Sequence, residues 1–168
     1  MKNSSSQLGF TIIELMTVMV IAGVLLVIAL PAFNDMLARR RLEGQADELV
    51  TDLSYAKSEA VQRNRSVELR TGGAGTCYTV AVMTAATPPV GNCDCTAAVG
   101  ARCTVAGTTE LKTVTLNGGV TVTNGTPVFE FEPVRGAVAA AASAVVSNGT
   151  RSYTVSVTAN GRVTPFTP

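Results

Sequence analysis

The chain has 168 residues and a formal net charge of +1, from 13 basic and 12 acidic side chains, so no global charge bias marks it as a polyanion binder. Histidine and tryptophan are absent; the lack of histidine removes the commonest general acid/base and metal ligand and argues against an enzyme. Beyond one apolar N-terminal stretch, the length suffices for a single modest domain with its own core.

From Phe10 to Leu30 the chain reads FTIIELMTVMVIAGVLLVIAL, long enough as a helix to cross about 30 Å of hydrocarbon. A secretory signal peptide has a shorter apolar core, of about 7–15 residues, and ends in a small-x-small site; Leu30-Pro31-Ala32 is a poor match to that site. Glu14 lies inside the span, where a carboxylate costs roughly 2.5–3.5 kcal/mol and needs a partner.

The run Gly9-Phe10-Thr11-Ile12-Ile13-Glu14 resembles the type IV prepilin motif. That resemblance implies a cytoplasmic leader at residues 1–9, cleavage by a prepilin peptidase between Gly9 and Phe10, and N-methylation of Phe10. It also implies that Glu14, the fifth mature residue, attracts the N-terminus of a neighbouring subunit during assembly. Cleavage would create an α-amino cation four positions before Glu14, about one helical turn away, so the same carboxylate can also serve within its own subunit.

The resemblance further implies a single-pass inner-membrane protein with its C-terminal domain in the periplasm, joining a pilus or pseudopilus after assembly. Arg39-Arg40-Arg41 follows the span and by charge bias would draw that side inward. The cytosolic active site of the implied peptidase, and four cysteines suited to an oxidising compartment, point the other way. The arginines are then expected to meet lipid headgroups or acidic neighbours.

Pro31 is expected to kink or loosen the helix. Beyond it, Leu42, Ala46, Leu49, Val50, Leu53, Ala60 and Val61 form an apolar stripe at helical spacing that should face a sheet. Glu43, Asp47, Glu48, Asp52, Lys57 and Glu59 are assigned to the opposite, solvated face, with Glu59 and Arg63 at good ion-pair spacing. The helix should end near Asn64.

Strand patterns begin at Val67 and Leu69 and continue at Cys77–Met83, Glu110–Leu116, Val120–Thr123, Val128–Glu132 and Arg151–Thr158, with a short one near Val163. Asn117-Gly118, Asn124-Gly125, Asn148-Gly149 and Asn160-Gly161 offer tight hairpin turns. The stretch from Ala137 to Val146 is ambiguous between strand and short helix, with an extended or loop-like reading favoured because it sits between strand signals. These elements predict an α+β fold, a long helix packed on an antiparallel sheet, and the resemblance makes it pilin-like. The expected divisions are the leader at 1–9, a transmembrane helix half at 10–31, an amphipathic half at 32–65 and a β-rich domain at 66–168.

Cys77, Cys93, Cys95 and Cys103 lie in a stretch rich in glycine, proline and alanine. A bridge between Cys93 and Cys95 would be strained, which leaves two pairings, each linking Cys77 and Cys103 to the other two. The spacing lacks the paired knuckles of a zinc site, and no histidine is present to activate a thiolate. No metal or other cofactor is expected.

Two further regions resemble the GspH/FimT family. One is Asp52 to Asn64, DLSYAKSEAVQRN, with Lys57 where arginine is more usual. The other comprises Phe129-Glu130-Phe131-Glu132-Pro133, Gly136 and Asn160-Gly161-Arg162-Val163. The family implies a minor pilin that helps initiate type IV pili, or a type II secretion pseudopilin, partnered by other minor and major pilins or pseudopilins; Pro31-Ala32-Phe33 and Ser58-Glu59-Ala60 favour the pilus branch. Some members bind DNA through Gly-Arg-x-Arg. Here Gly161-Arg162-Val163-Thr164 keeps one arginine of the two, a serious deficit for a small phosphate-binding site, so Arg162 reads first as a residue flanking a turn.

Overall fold

The computed structural model describes residues 11–84, 92–124 and 128–167. Secondary structure runs from one helix, α1 (Ile12–Arg63), into β1 (Val67–Gly72), β2 (Cys77–Val82), β3 (Thr109–Thr115), β4 (Thr121–Asn124), β5 (Val128–Phe131), β6 (Ala142–Ser147), β7 (Ser152–Val157) and β8 (Val163–Thr167). Two compact units divide between Leu37 and Ala38. The amphipathic half of α1 therefore belongs with the strands.

At the helix start, the Glu14 amide donates to Thr11 Oγ1 at 3.3 Å, which satisfies one of the amides a helix leaves open in its first turn. Helical structure continues through Pro31, so the loosening expected there does not interrupt it. The end is set by Asn64, whose φ of 49° is left-handed. Around it the Asn64 amide donates to Val61 O and the Arg65 amide to Ala60 O, the paired bonds that close helix C-termini.

In place of the single sheet expected, the strands form two four-stranded antiparallel sheets, ordered β3-β2-β1-β5 and β4-β6-β7-β8. The stretch from Ala137 to Val146, which the sequence leaves open between strand and short helix, supplies most of β6, which pairs with β4 on one side and β7 on the other. Its alternation is real, with Ala144 and Val146 buried and Ser143 exposed, but alanine carries too weak a signal to reveal it from sequence. Asn148-Gly149 and Asn160-Gly161 do sit in hairpins, β6 to β7 and β7 to β8. Asn117-Gly118 instead connects β3 of one sheet to β4 of the other, and Gly125 lies outside the described residues.

Leu42, Ala46, Leu49, Leu53, Ala56 and Ala60 of α1 are all fully buried. They share one core with Val67, Leu69, Tyr78, Phe129 and Phe131 of the first sheet and Val122, Val146 and Val155 of the second. Each leucine or phenylalanine so buried contributes roughly 1.5–3 kcal/mol. Ala56 joins the expected stripe, whereas Val61 is 46% exposed and leaves it.

Candidate functional site

The first unit carries the N-terminal half of α1. Its large apolar side chains, from Ile12 through Leu30 to Met36, are exposed, and by length and composition the helix can cross a membrane. Thr17 donates its hydroxyl to Ile13 O at 2.7 Å, so that polar group is satisfied without a neighbour. Glu14 is the sole ionisable side chain between Thr11 and Asn34. Its carboxylate is exposed, and no hydrogen bond or ion pair to it is found among the described residues. Gly9 and Phe10 lie outside the described residues.

In the second unit, polar contacts seat α1 on the first sheet. Asp52, assigned from sequence to the solvated face, is only 3% exposed. It accepts a bond from the Tyr78 hydroxyl of β2 at 2.8 Å and another from Lys112 Nζ of β3 at 2.8 Å, and Lys112 also reaches Glu48 at 3.2 Å. Burial, and then the hydrogen bond to Asp52, push the Tyr78 hydroxyl far above its ordinary range. Burial alone would lower the Lys112 ammonium, but its bonds to Asp52 and Glu48 outweigh this and raise it. Nearer the start of the unit, Glu43 accepts from Arg39 at 2.8 Å and from the Tyr153 hydroxyl of β7 at 3.2 Å. The Arg39 bond leads in holding the Glu43 carboxyl below its usual value.

The family-like stretches of helix and strand meet in space. Lys57, also expected to be solvated, is half-buried and donates from Nζ to Gly161 O at 2.9 Å. Its stem covers Gly136, where a Cβ would stand 2.5 Å from Lys57 Cγ. Gly161 has φ +70°, and a Cβ there would lie 1.8 Å from Gly136 O. Turn geometry and close backbone approach therefore account for Gly161 without reference to DNA. Arg162 is exposed beside it.

Of the two cysteine pairings left open by the sequence, the structure has Cys77 bonded to Cys95 and Cys93 bonded to Cys103, with Cα separations of 5.9 and 4.1 Å. The first bridge ties the loop to the start of β2. The second closes a small hairpin in which the Asp94 amide donates to Arg102 O at 2.8 Å. Arg102 then pairs with Glu110 of β3 at 2.6 Å. No metal-binding cluster occurs among the described residues.

A family model described as type II transport protein GspH matches residues 45–161, most of the chain and nearly all of its second unit. The chain belongs to the GspH family. A second model, the prokaryotic N-terminal methylation motif, matches residues 4–30. A fimbrial protein of Moraxella nonliquefaciens is 47% identical over 53 residues, which is 30% of this chain and 34% of that protein; the GspH-family chain thus spans about a third of this relative's length. The crystal structure of the type IV minor pilin FimU from Pseudomonas aeruginosa is similar over 77% of this chain and 90% of its own, with a TM-score of 0.56 at 20% identity. The minor pseudopilin EpsH from the type 2 secretion system of Vibrio cholerae is 15% identical over 73% of this chain and 93% of its own, with a TM-score of 0.49. This GspH-family chain therefore has a pilin-type fold and carries a prokaryotic N-terminal methylation motif. What sequence reasoning missed is how the helix is held: Asp52 and Lys112 are 60 residues apart, and no local pattern links them.

Proposed function

We propose that this chain is a minor pilin-like subunit, trimmed by a prepilin peptidase between Gly9 and Phe10, N-methylated on Phe10 and assembled into the initiation or tip complex of a type IV pilus. One observation carries the reading. Glu14 is the only ionisable side chain between Thr11 and Asn34, its carboxylate has no partner among the described residues, and it stands one turn beyond the proposed junction. A carboxylate so placed is suited to receive the α-amino group of an adjoining subunit, with the inner membrane as the resting place and the second unit on the periplasmic side.

Glu14→Val separates this from a simple anchor. Leader cleavage and membrane residence should survive, because the junction is unchanged and a costly charge has gone, while co-purification with other pilins should fall. Equal recovery at matched membrane levels would count against the mechanism. Gly9→Val should leave the uncut precursor in the membrane, and mature-sized protein from that variant would sink the cleavage assignment.

The family description, type II transport protein GspH, favours a second reading as a pseudopilin of the type II secretion system. Affinity capture from membranes discriminates the two: minor pilins recovered support the first, secretion pseudopilins the second.

A further inference from the structure

The order β3-β2-β1-β5 leaves β5 at a sheet edge, and the hydrogen bonds around it fix which way its amides point. Met83 donates to Ser66 O at 2.8 Å. The even-numbered residues of β1 therefore face β2, while Val67 and Leu69 face β5. Their partners are Phe131 and Phe129, so the backbone groups of Val128 and Glu130 point away from the sheet. Glu132, of the same parity, confirms the direction by donating to Ala137 O at 2.8 Å and accepting from the Gly136 amide at 2.9 Å.

That returning chain then leaves the edge. Val138 donates instead to Ala159 O at 3.1 Å, and among the described residues no backbone bond joins Val128 or Glu130 to residues 138–142. A cavity of about 240 Å³ opens between β5 and this segment, lined on its far side by Val138 and the alanines up to Ala142. Small side chains line that wall, beside a row of amide and carbonyl groups that no strand of the described residues faces.

The edge is also acidic. Glu130 stands opposite Glu68 in register, with Glu132 two residues on. Glu68 is fully buried; its Oε2 accepts from Arg70 at 3.2 Å, while Oε1 has no partner among the described residues. Burial raises the Glu130 carboxyl above its usual range; a Ser66 hydrogen bond opposes this, and the Glu68 and Glu132 charges add to it. A cation beside Glu130 would relieve that strain.

The geometry points to β5 as a docking edge for an extended peptide segment of a neighbouring subunit, which adds a strand beside Val128–Glu130 and places a lysine or arginine against Glu130. Main-chain bonds supply the affinity in such strand addition and side chains the choice of partner. A short edge bearing a charge resists indiscriminate pairing, so Glu130 both admits a basic strand and rejects neutral or acidic ones.

The test uses the full chain in detergent micelles and three labelled peptides, Thr-Thr-Val-Xaa-Val-Thr-Thr, with Lys, Gln or Glu at Xaa. Fluorescence anisotropy should show the Lys peptide binding about tenfold tighter than the Glu peptide, and hydrogen exchange should slow at Val128 and Glu130 when it binds. Glu130→Lys should reverse the preference towards the Glu peptide. Glu130→Gln, which alters the fold least, should make the Lys and Gln peptides bind alike. Failure of all three peptides to bind, equal binding by all three to the native chain, or an unchanged Lys preference in Glu130→Gln would overturn the proposal.

Discussion

Lys57 and Gly161, 104 residues apart in the chain, are joined by a 2.9 Å hydrogen bond from the Lys57 ammonium to the Gly161 carbonyl. The helix thereby grips the turn between β7 and β8, and Gly136 lies beneath the lysine stem. Three positions that sequence presents as separate motifs are one contact.

Lys57→Met keeps the stem and loses the bond, and should cost about 1 kcal/mol. Gly161→Ala should cost about 3 kcal/mol or more, since a left-handed residue gains a side chain where backbone already stands. Urea unfolding of the full chain in detergent measures both. A Gly161→Ala protein as stable as the native one would show that this contact is not tight.

Alkaline pH should loosen the seat of the helix. The Tyr78 hydroxyl titrates far above its ordinary value of 10 in the folded chain, so above pH 10 the unfolded chain loses a proton that the folded one retains. Stability then falls by about 1.4 kcal/mol per pH unit. Lys112, also raised, acts in the same direction: its contribution is complete below about pH 10.5 and is lost as pH rises through its folded value. Tyr78→Phe should flatten the decline between pH 10 and 11, measured by circular dichroism; an unchanged slope would reject the assignment. Asp52→Ala should cost about 3 kcal/mol at pH 7, because it strands a buried hydroxyl and removes a charge partner of Lys112.

Glu130 has the opposite sign for an acid. Its folded value is raised by burial and by the Glu68 and Glu132 charges, so ionisation opposes folding at neutral pH and the penalty disappears as pH falls below the unfolded value near 4.5. Glu130→Gln should therefore raise the melting temperature at pH 7, with a gain that shrinks towards pH 4. A loss of stability at pH 7 would contradict this.

Loss of either disulfide should be costly. Bridges across separations of 18 and 10 residues contribute roughly 3 kcal/mol each by the loop-entropy estimate. Cys77→Ala with Cys95→Ala should also expose the start of β2, which is buried, whereas Cys93→Ala with Cys103→Ala should leave that strand protected. Hydrogen exchange across Cys77–Val82 reads the difference, and equal protection in both variants would contradict it.

The helix, its cap at Asn64 and most strands are legible because their signals are local: apolar spacing, β-branched runs and glycine turns. The division into two sheets is not. Asn117-Gly118 looks the same whether it folds β3 back on itself or sends the chain to another sheet, and only the shared core decides. Asp52 was misjudged for a related reason. A carboxylate reads as solvated until Tyr78 and Lys112 arrive from distant strands to satisfy it. At the N-terminus the position is reversed: the sequence carries the methylation motif, and Gly9 and Phe10, the proposed junction, lie outside the described residues.

β1 is bonded to its immediate successor β2 and to β5, which follows only after the disulfide-bridged loop and two further strands. For a chain delivered from its N-terminus this imposes an order in time. The helix and the β1–β2 hairpin arrive early, but Phe129 and Phe131, which belong to the same core as Leu42 and Leu49, come late. Until then the nascent chain presents an open β1 edge and an uncovered stripe, both prone to mispairing. Amides of Val67 and Leu69, which face β5, should therefore gain protection after those of Glu68 and Arg70 in pulse-labelled refolding, whereas β6, β7 and β8 can close among themselves through local hairpins.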